Sequence, residues 1–227
     1  MMRSLFTAAF LGVFLSACNT VQTSSDPSAD TQSIVNASED VVRRFMSSSQ
    51  ADAIGGLLST AKGVIVYPNI VKAAFFVGGE GGTGVLVGRQ DNNGWSSPAF
   101  FTFGAASYGF QIGAEQSNIL LIITNQETLE RATAGGLELG ANASVAVGDE
   151  GAKGTLSTDQ LQDIYYFVEV ERGLFAGVNL KGATAVSRDS LNAAYYGSAA
   201  SAKDIVLEGR FSNPGASGLQ AALASRS

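Results

Sequence analysis

The chain has 227 residues, enough for one domain with a sizeable core. Apolar residues make up 45% and charged residues 15%, with a formal net charge of −6. That balance excludes a disordered chain and a nucleic-acid-binding surface, and it confines any anion site to a local basic patch. With no histidine and a single cysteine, imidazole catalysis, histidine metal sites and an internal disulfide are excluded too.

The N-terminus reads as an address. Met1-Met2-Arg3 is a short positive start, and Leu5 to Leu15 is an apolar run too short to span a bilayer. Leu15-Ser16-Ala17-Cys18 follows. Small residues before a cysteine, at the end of such a run, resemble the bacterial lipoprotein signal. That resemblance implies lipidation of Cys18 and removal of the signal peptide, residues 1–17; an ordinary signal peptide with a chance cysteine is the alternative. Asn19, in place of the Asp that favours inner-membrane retention, points to the outer membrane, lipid-anchored on its periplasmic side. An acylated terminus anchors a protein without spanning the membrane. Lipidation also uses up the one thiol, so no thiolate nucleophile remains.

Residues 18–30 are rich in Ser, Thr and Asp and read as a flexible tether. Asp30 is placed to N-cap a helix through about Ser47, with Arg43 and Arg44 near its C-terminal end. A weaker helix is expected over Ala51 to Ala61, interrupted by Gly55-Gly56, either covering the core or touching a membrane. From Lys62 to Gly113 the sequence predicts short antiparallel strands with Gly at the breaks. The cluster Gly78 to Gly84 contains G-x-G-x-x-G letter for letter. A dinucleotide site needs a helix to begin there, and the strand-like Val85-Leu86-Val87 follows instead. The cluster therefore reads as a bent or bulged connection between strands. Asp91-Asn92-Asn93-Gly94 is a turn, and Trp95, Phe100, Phe101 and Phe103 read as core. Beyond it come a buried strand over Asn118 to Thr124, a helix over Gln126 to Ala134, and strands at Leu137 to Leu139 and Ala143 to Val147. A loop at Asp149 to Gly154 precedes a strand at Ile164 to Val170, and Gly173 to Gly177 opens a last hairpin. Helices follow at Asp189 to Gly197 and Ala202 to Leu207. Residues 212–227 read as a small-residue tail, with room for a short helix over Leu219 to Ala224. The fold class is α+β: a mainly antiparallel sheet, bent as a sandwich or barrel, with N-terminal and C-terminal flanking helices.

Several blocks, in order, resemble the SYLF domain family. They are Ala61-Lys62-Gly63-Val64 with Pro68 and Lys72, the Gly81 to Gly84 cluster, and Trp95-Ser96-Ser97-Pro98-Ala99-Phe100. Gly109 to Gly113, Gly140 to Ser144, Arg172 to Gly177 and Asn192 to Gly197 complete the set. The resemblance places the domain at residues 31–211. It implies binding of membrane phospholipid, with an anionic headgroup among the candidates. Eukaryotic members bind phosphoinositides and some bind actin, while bacterial members are commonly secreted or lipid-anchored. One departure is Gly148-Asp149 where the family carries Gly-Pro, which adds negative charge to a loop.

Lys62, Lys72 and Arg172 are the headgroup-binding candidates, since ammonium and guanidinium groups supply charge and donors to phosphate. Ordinary surface cations are the plainer reading. Glu169 and Glu171 share a strand face, but no sugar-binding aromatic platform accompanies them. No catalytic residue, metal or cofactor is expected. The reading is a non-enzymatic, lipid-anchored periplasmic protein that binds phospholipid. An envelope interaction module without lipid specificity, and a hydrolase using Ser and carboxylates, are the alternatives.

Overall fold

The computed structural model describes residues 27–75, 77–108, 113–139, 143–145, 163–172, 180 and 182–225. The leader, Cys18, most of the tether, the loop at Asp149 to Gly154 and the turn at Gly173 to Gly177 lie outside the described residues.

The strands are β1 (Gly63–Phe75), β2 (Val77–Gly88), β3 (Ala99–Tyr108), β4 (Gly113–Ile123), β5 (Leu137–Leu139), β6 (Ala143–Val145), β7 (Ile164–Arg172) and β8 (Ala183–Ser187). They form one sheet in the order β5-β8-β3-β2-β1-β4-β7-β6. All neighbours run antiparallel except β6 and β7, which pair in parallel. The mainly antiparallel α+β expectation therefore holds. The outermost strands have only three residues each, short edges that give another chain little to pair with.

Helices cover both faces. On one face α1 (Pro27–Met46), α2 (Ala51–Leu58), α4 (Asp189–Tyr196) and α6 (Ser217–Ala224) pack over Val64, Val66, Val85, Val87, Leu120 and Ile122. On the other, α3 (Gln126–Gly135) and α5 (Ala202–Val206) pack over Ile65, Tyr67, Leu86, Phe101, Ile119 and Leu121. A sheet buried on both faces needs continuous apolar strands, which is why Val64 to Tyr67 and Ile119 to Ile123 show no alternation. Trp95, Phe100, Phe101 and Phe103 are all buried, as expected.

Some boundaries differ from expectation. The first helix begins at Pro27, so residues 27–30 belong to α1 and not to the tether. Proline is favoured in a first helical turn because its missing N–H has no partner there anyway. The second helix stops at Leu58 and covers the core, with Ala51, Ile54 and Leu58 buried. Residues after 211, read as a tail, carry a 3-10 turn (Pro214–Ala216) and α6. Leu219 and Leu223 of α6 are fully buried in the cluster that contains Val35 and Val42 of α1, so this segment is part of the fold.

The glycine cluster does not connect two strands; it lies inside β2. The chain reverses between Phe75 and Val77, which pair with each other, and no helix begins at the glycines. The glycines are needed because β1 bulges between Tyr67 and Ile70 on the β4 side and between Val66 and Val71 on the β2 side. At the bulge Asn69 adopts φ 61° and its N–H donates to Asn118 Oδ1 at 3.0 Å. The bulged backbone presses onto β2: a Cβ on Gly84 would sit 2.0 Å from the Val66 carbonyl oxygen and 2.5 Å from the Tyr67 ring. Only a residue without a side chain permits that approach.

Gly84→Ala is accordingly expected to destabilise by roughly 2–3 kcal/mol through overpacking. In a domain of this size that lowers the unfolding midpoint by roughly 5–10 °C. Gly56→Ala, in α2 with nothing within 4 Å of the new methyl, is expected to stabilise by about 1 kcal/mol. Thermal unfolding followed by circular dichroism reads both, and opposite signs are required.

Candidate functional site

The three sequence candidates do not converge. Lys62 stands immediately before β1 and is exposed; its N–H donates to the Ile123 carbonyl at 2.7 Å and its carbonyl accepts from Arg89 N–H at 2.8 Å. Lys72 lies ten residue steps further along β1, roughly 30 Å away at the strand rise. Arg172 ends β7 and pairs with Gln116 of β4, which in turn pairs with Val71. Its backbone therefore lies at the Lys72 end of the sheet. Its side chain lies outside the described residues.

Lys72 is not a free surface cation. It shares a face with Ile70, and its Nζ is 3.0 Å from Glu80 Oε1 across the β1–β2 pair, with 11% of the lysine side chain and 1% of the glutamate side chain exposed. By distance this is an ion pair, although neither Glu80 oxygen has a partner in full hydrogen-bond geometry among the described residues. An ammonium rotates freely and 3.0 Å is contact distance, so Oε1 is the paired oxygen, and Oε2 has no partner among the described residues. On the other flank, the register position opposite Lys72 is Glu115 of β4. Tyr67 belongs to the same face. Its hydroxyl is buried and has no partner among the described residues, and burial pushes its pKa well above the usual phenol value.

The carboxylates of Glu169 and Glu171 are structural. Arg44 at the end of α1 reaches both, Nε to Glu169 at 3.0 Å and an Nη to Glu171 at 2.9 Å. The Asn118 side-chain amide donates to both at 2.8 Å. The four groups fasten α1 to β4 and β7. Arg44 and both glutamates are more than a third exposed, so solvent screening keeps the ion pairs weak individually. Sequence reasoning assigned Arg44 to the helix dipole and missed this clamp. The only signal for it was the i, i+2 spacing of the two glutamates.

Arg89 was missed as well. Its guanidinium donates to the Leu58 carbonyl at 2.6 Å, closing the end of α2, and to the Asn93 carbonyl at 3.1 Å. It also lies 3.9 Å over the Trp95 ring, a cation–π contact, and partial burial lowers its pKa. Among the described residues no three Cys, Asp or Glu side chains gather as metal ligands. The buried Ser96 hydroxyl, the kind a hydrolase would use, is committed to backbone: it donates to Ser97 O and accepts from Gly88 N–H.

Lys72→Met is expected to cost about 3–5 kcal/mol, because Glu80 stays buried without its counter-charge. The double change Lys72→Met/Glu80→Leu is expected to recover most of that loss, since an apolar pair of similar volume needs no desolvation. Denaturant unfolding of the three proteins measures both terms. A Lys72→Met protein as stable as the parent would show the ion pair to be energetically idle.

Residues 104–226 match the family model described as Ysc84, Las17-binding protein actin regulator. The human SH3 domain-containing YSC84-like protein 1 is 33% identical over 143 residues, 62% of this chain and 41% of that protein. An SH3 domain-containing protein of Schizosaccharomyces pombe is 32% identical over 165 residues, 70% of this chain and 38% of the relative. LAS seventeen-binding protein 3 of Saccharomyces cerevisiae is 31% identical over 163 residues, 70% of this chain and 35% of the relative. The chain thus spans well under half the length of these relatives. The match runs from Gly104, midway along β3, through α6, more than half of the chain, and the chain belongs to the Ysc84 family, whose domain is the SYLF domain.

Proposed function

We propose that this protein is a non-enzymatic binding protein, anchored by a lipid on Cys18 to the periplasmic side of the outer membrane, whose SYLF domain binds membrane phospholipid. The observation that carries the reading is where Lys62 stands. In the first turns of α1, Gln32 donates to the Gly215 carbonyl. Nearby Asn213 N–H donates to Ser97, and Ser96 N–H donates to Gly88, the residue that pairs with Gly63. The start of α1 and the start of β1 therefore lie at one end of the sheet. Nine residue steps separate Cys18 from Pro27, at most about 30 Å of extended chain. A lipid on Cys18 would hold that end, with the exposed Lys62, within reach of the bilayer. Tethering of this kind raises the local concentration of the domain at the surface, so a weak contact suffices.

A second reading has support in the family's description as a Las17-binding actin regulator: a protein-interaction module of the envelope. The two separate on vesicles. Every buried core residue named above lies between residues 35 and 223, so a chain begun at Asn19 holds what the fold is built from. That chain is expected to co-sediment with phosphatidylglycerol-containing vesicles, less so as salt rises. Lys62→Ala is expected to weaken binding about fivefold, from roughly 1 kcal/mol per basic residue at an anionic surface. Failure to sediment with vesicles of any composition would sink the lipid reading and leave the interaction module.

The anchor has its own test. Mature protein from the native envelope is expected to begin at a diacylated Cys18, and Cys18→Ser to accumulate as an unlipidated full-length precursor. An unmodified thiol at Cys18 in the mature protein, seen by mass spectrometry, would refute the anchor.

A further inference from the structure

Strand reversals are ordinarily built from Gly, Pro, Asn, Asp and Ser, which supply positive φ or hydrogen bonds to their own backbone. The turn at Asp91 to Gly94 follows that rule. The reversal between β1 and β2 does not. Phe75 pairs with Val77 across it, and the whole run from Ala73 to Gly79 has no charged or polar residue, with Lys72 before it and Glu80 after. Tyr108 of β3 is the register partner of Val77, so a third strand ends at the same place. The described residues beside the run are open: Val71 is 48% exposed, and Gly79 and its partner Ala106 are exposed. An apolar reversal at an open end of a sheet marks a contact with something apolar.

We propose that the β1–β2 reversal enters a phospholipid bilayer at the boundary between headgroups and acyl chains, which rests on the membrane reading above and names the element that makes the contact. A protein partner is the poorer match. A stable protein interface takes about 800 Å² from each side, and three strand ends set about 5 Å apart present much less. A bilayer needs only a few apolar residues, and tyrosine is enriched at its boundary with water. An uncharged contact point also suits an acidic chain, which an anionic surface repels at long range. β1 runs twelve residue steps from Gly63 to Phe75, roughly 40 Å, against a tether of at most about 30 Å. The reversal and the Lys62 end therefore share one bilayer when β1 lies inclined to its surface.

The chain from Asn19 onward has no cysteine, so Val77→Cys supplies a single thiol for a fluorophore. On vesicles of phosphatidylcholine and phosphatidylglycerol, brominated acyl chains are expected to quench that fluorophore, because bromine acts only at contact range. A second arm needs no label. In high salt, where the Lys62 contact is screened, Phe75→Asp is expected to bind these vesicles at least about tenfold more weakly than the parent, the scale of one apolar side chain left in water. Phe75→Leu, which keeps an apolar residue there, is expected to bind as the parent does. Circular dichroism first shows each variant folded. If the labelled chain sediments with vesicles but bromine leaves its emission unchanged, or if folded Phe75→Asp binds as tightly as the parent in high salt, the proposal is overturned and the membrane reading stands. Absence of sedimentation of the parent with any vesicle overturns both.

Discussion

The contact between the β1 bulge and Gly84 shapes the rest of the molecule. A carbonyl oxygen that would lie 2.0 Å from a Cβ leaves no choice of residue at that position. The bulge itself is held from the other side, where the Asn69 N–H donates to Asn118. Asn118 in turn donates to Glu169 and Glu171, which Arg44 holds from α1. One chain of contacts thus runs from a glycine in β2, through a strained turn of backbone in β1, to the end of the first helix. Bulges add twist and bend the strand that carries them.

Charge is used sparingly and mostly inward. Arg44 clamps α1, Arg89 closes α2 and stacks on Trp95, and Lys72 is paired with Glu80. Arg210 and Lys203 form a surface network with Asp204 and Glu208. Among the described lysines, Lys62 alone forms no ion pair. A chain with a net charge of −6 gains little long-range attraction to an anionic surface. On the proposed reading its contacts with lipid are short-ranged and few, and a tether on Cys18 would make such contacts sufficient.

Strand positions and apolar cores were legible because their signals are local. Val64 to Tyr67 and Ile119 to Ile123 announce buried strands, and Asp91 to Gly94 announces its turn. The glycine cluster was read as a bent or bulged connection, whereas the bulge lies in β1 and the glycines form a strand that pairs continuously with β3. The need for glycine at position 84 arises from Val66, eighteen residues earlier in the chain, and leaves no trace near Gly84 itself. The short helix expected over Leu219 to Ala224 is present as α6, but its place in the core was not legible because Ala and Ser give it a weak apolar stripe. Its burial depends on α1, almost two hundred residues away. Of the site, residue types were legible and placement was not. Nothing in the spacing of Lys62 and Lys72 shows that one faces solvent and the other faces Glu80, because cross-strand register decides that.

Stability is a weak explanation for the Lys72–Glu80 pair. Removing two charges from water is unfavourable by several kcal/mol each, and an apolar pair of equal volume commonly serves a fold as well or better. The surroundings also favour such a replacement: Ile70 and Phe103 are already on that face. A pair kept for stability alone would further be expected to satisfy both glutamate oxygens, since low dielectric penalises an empty one. Oε2 is not satisfied among the described residues, and the Tyr67 hydroxyl shares the deficit.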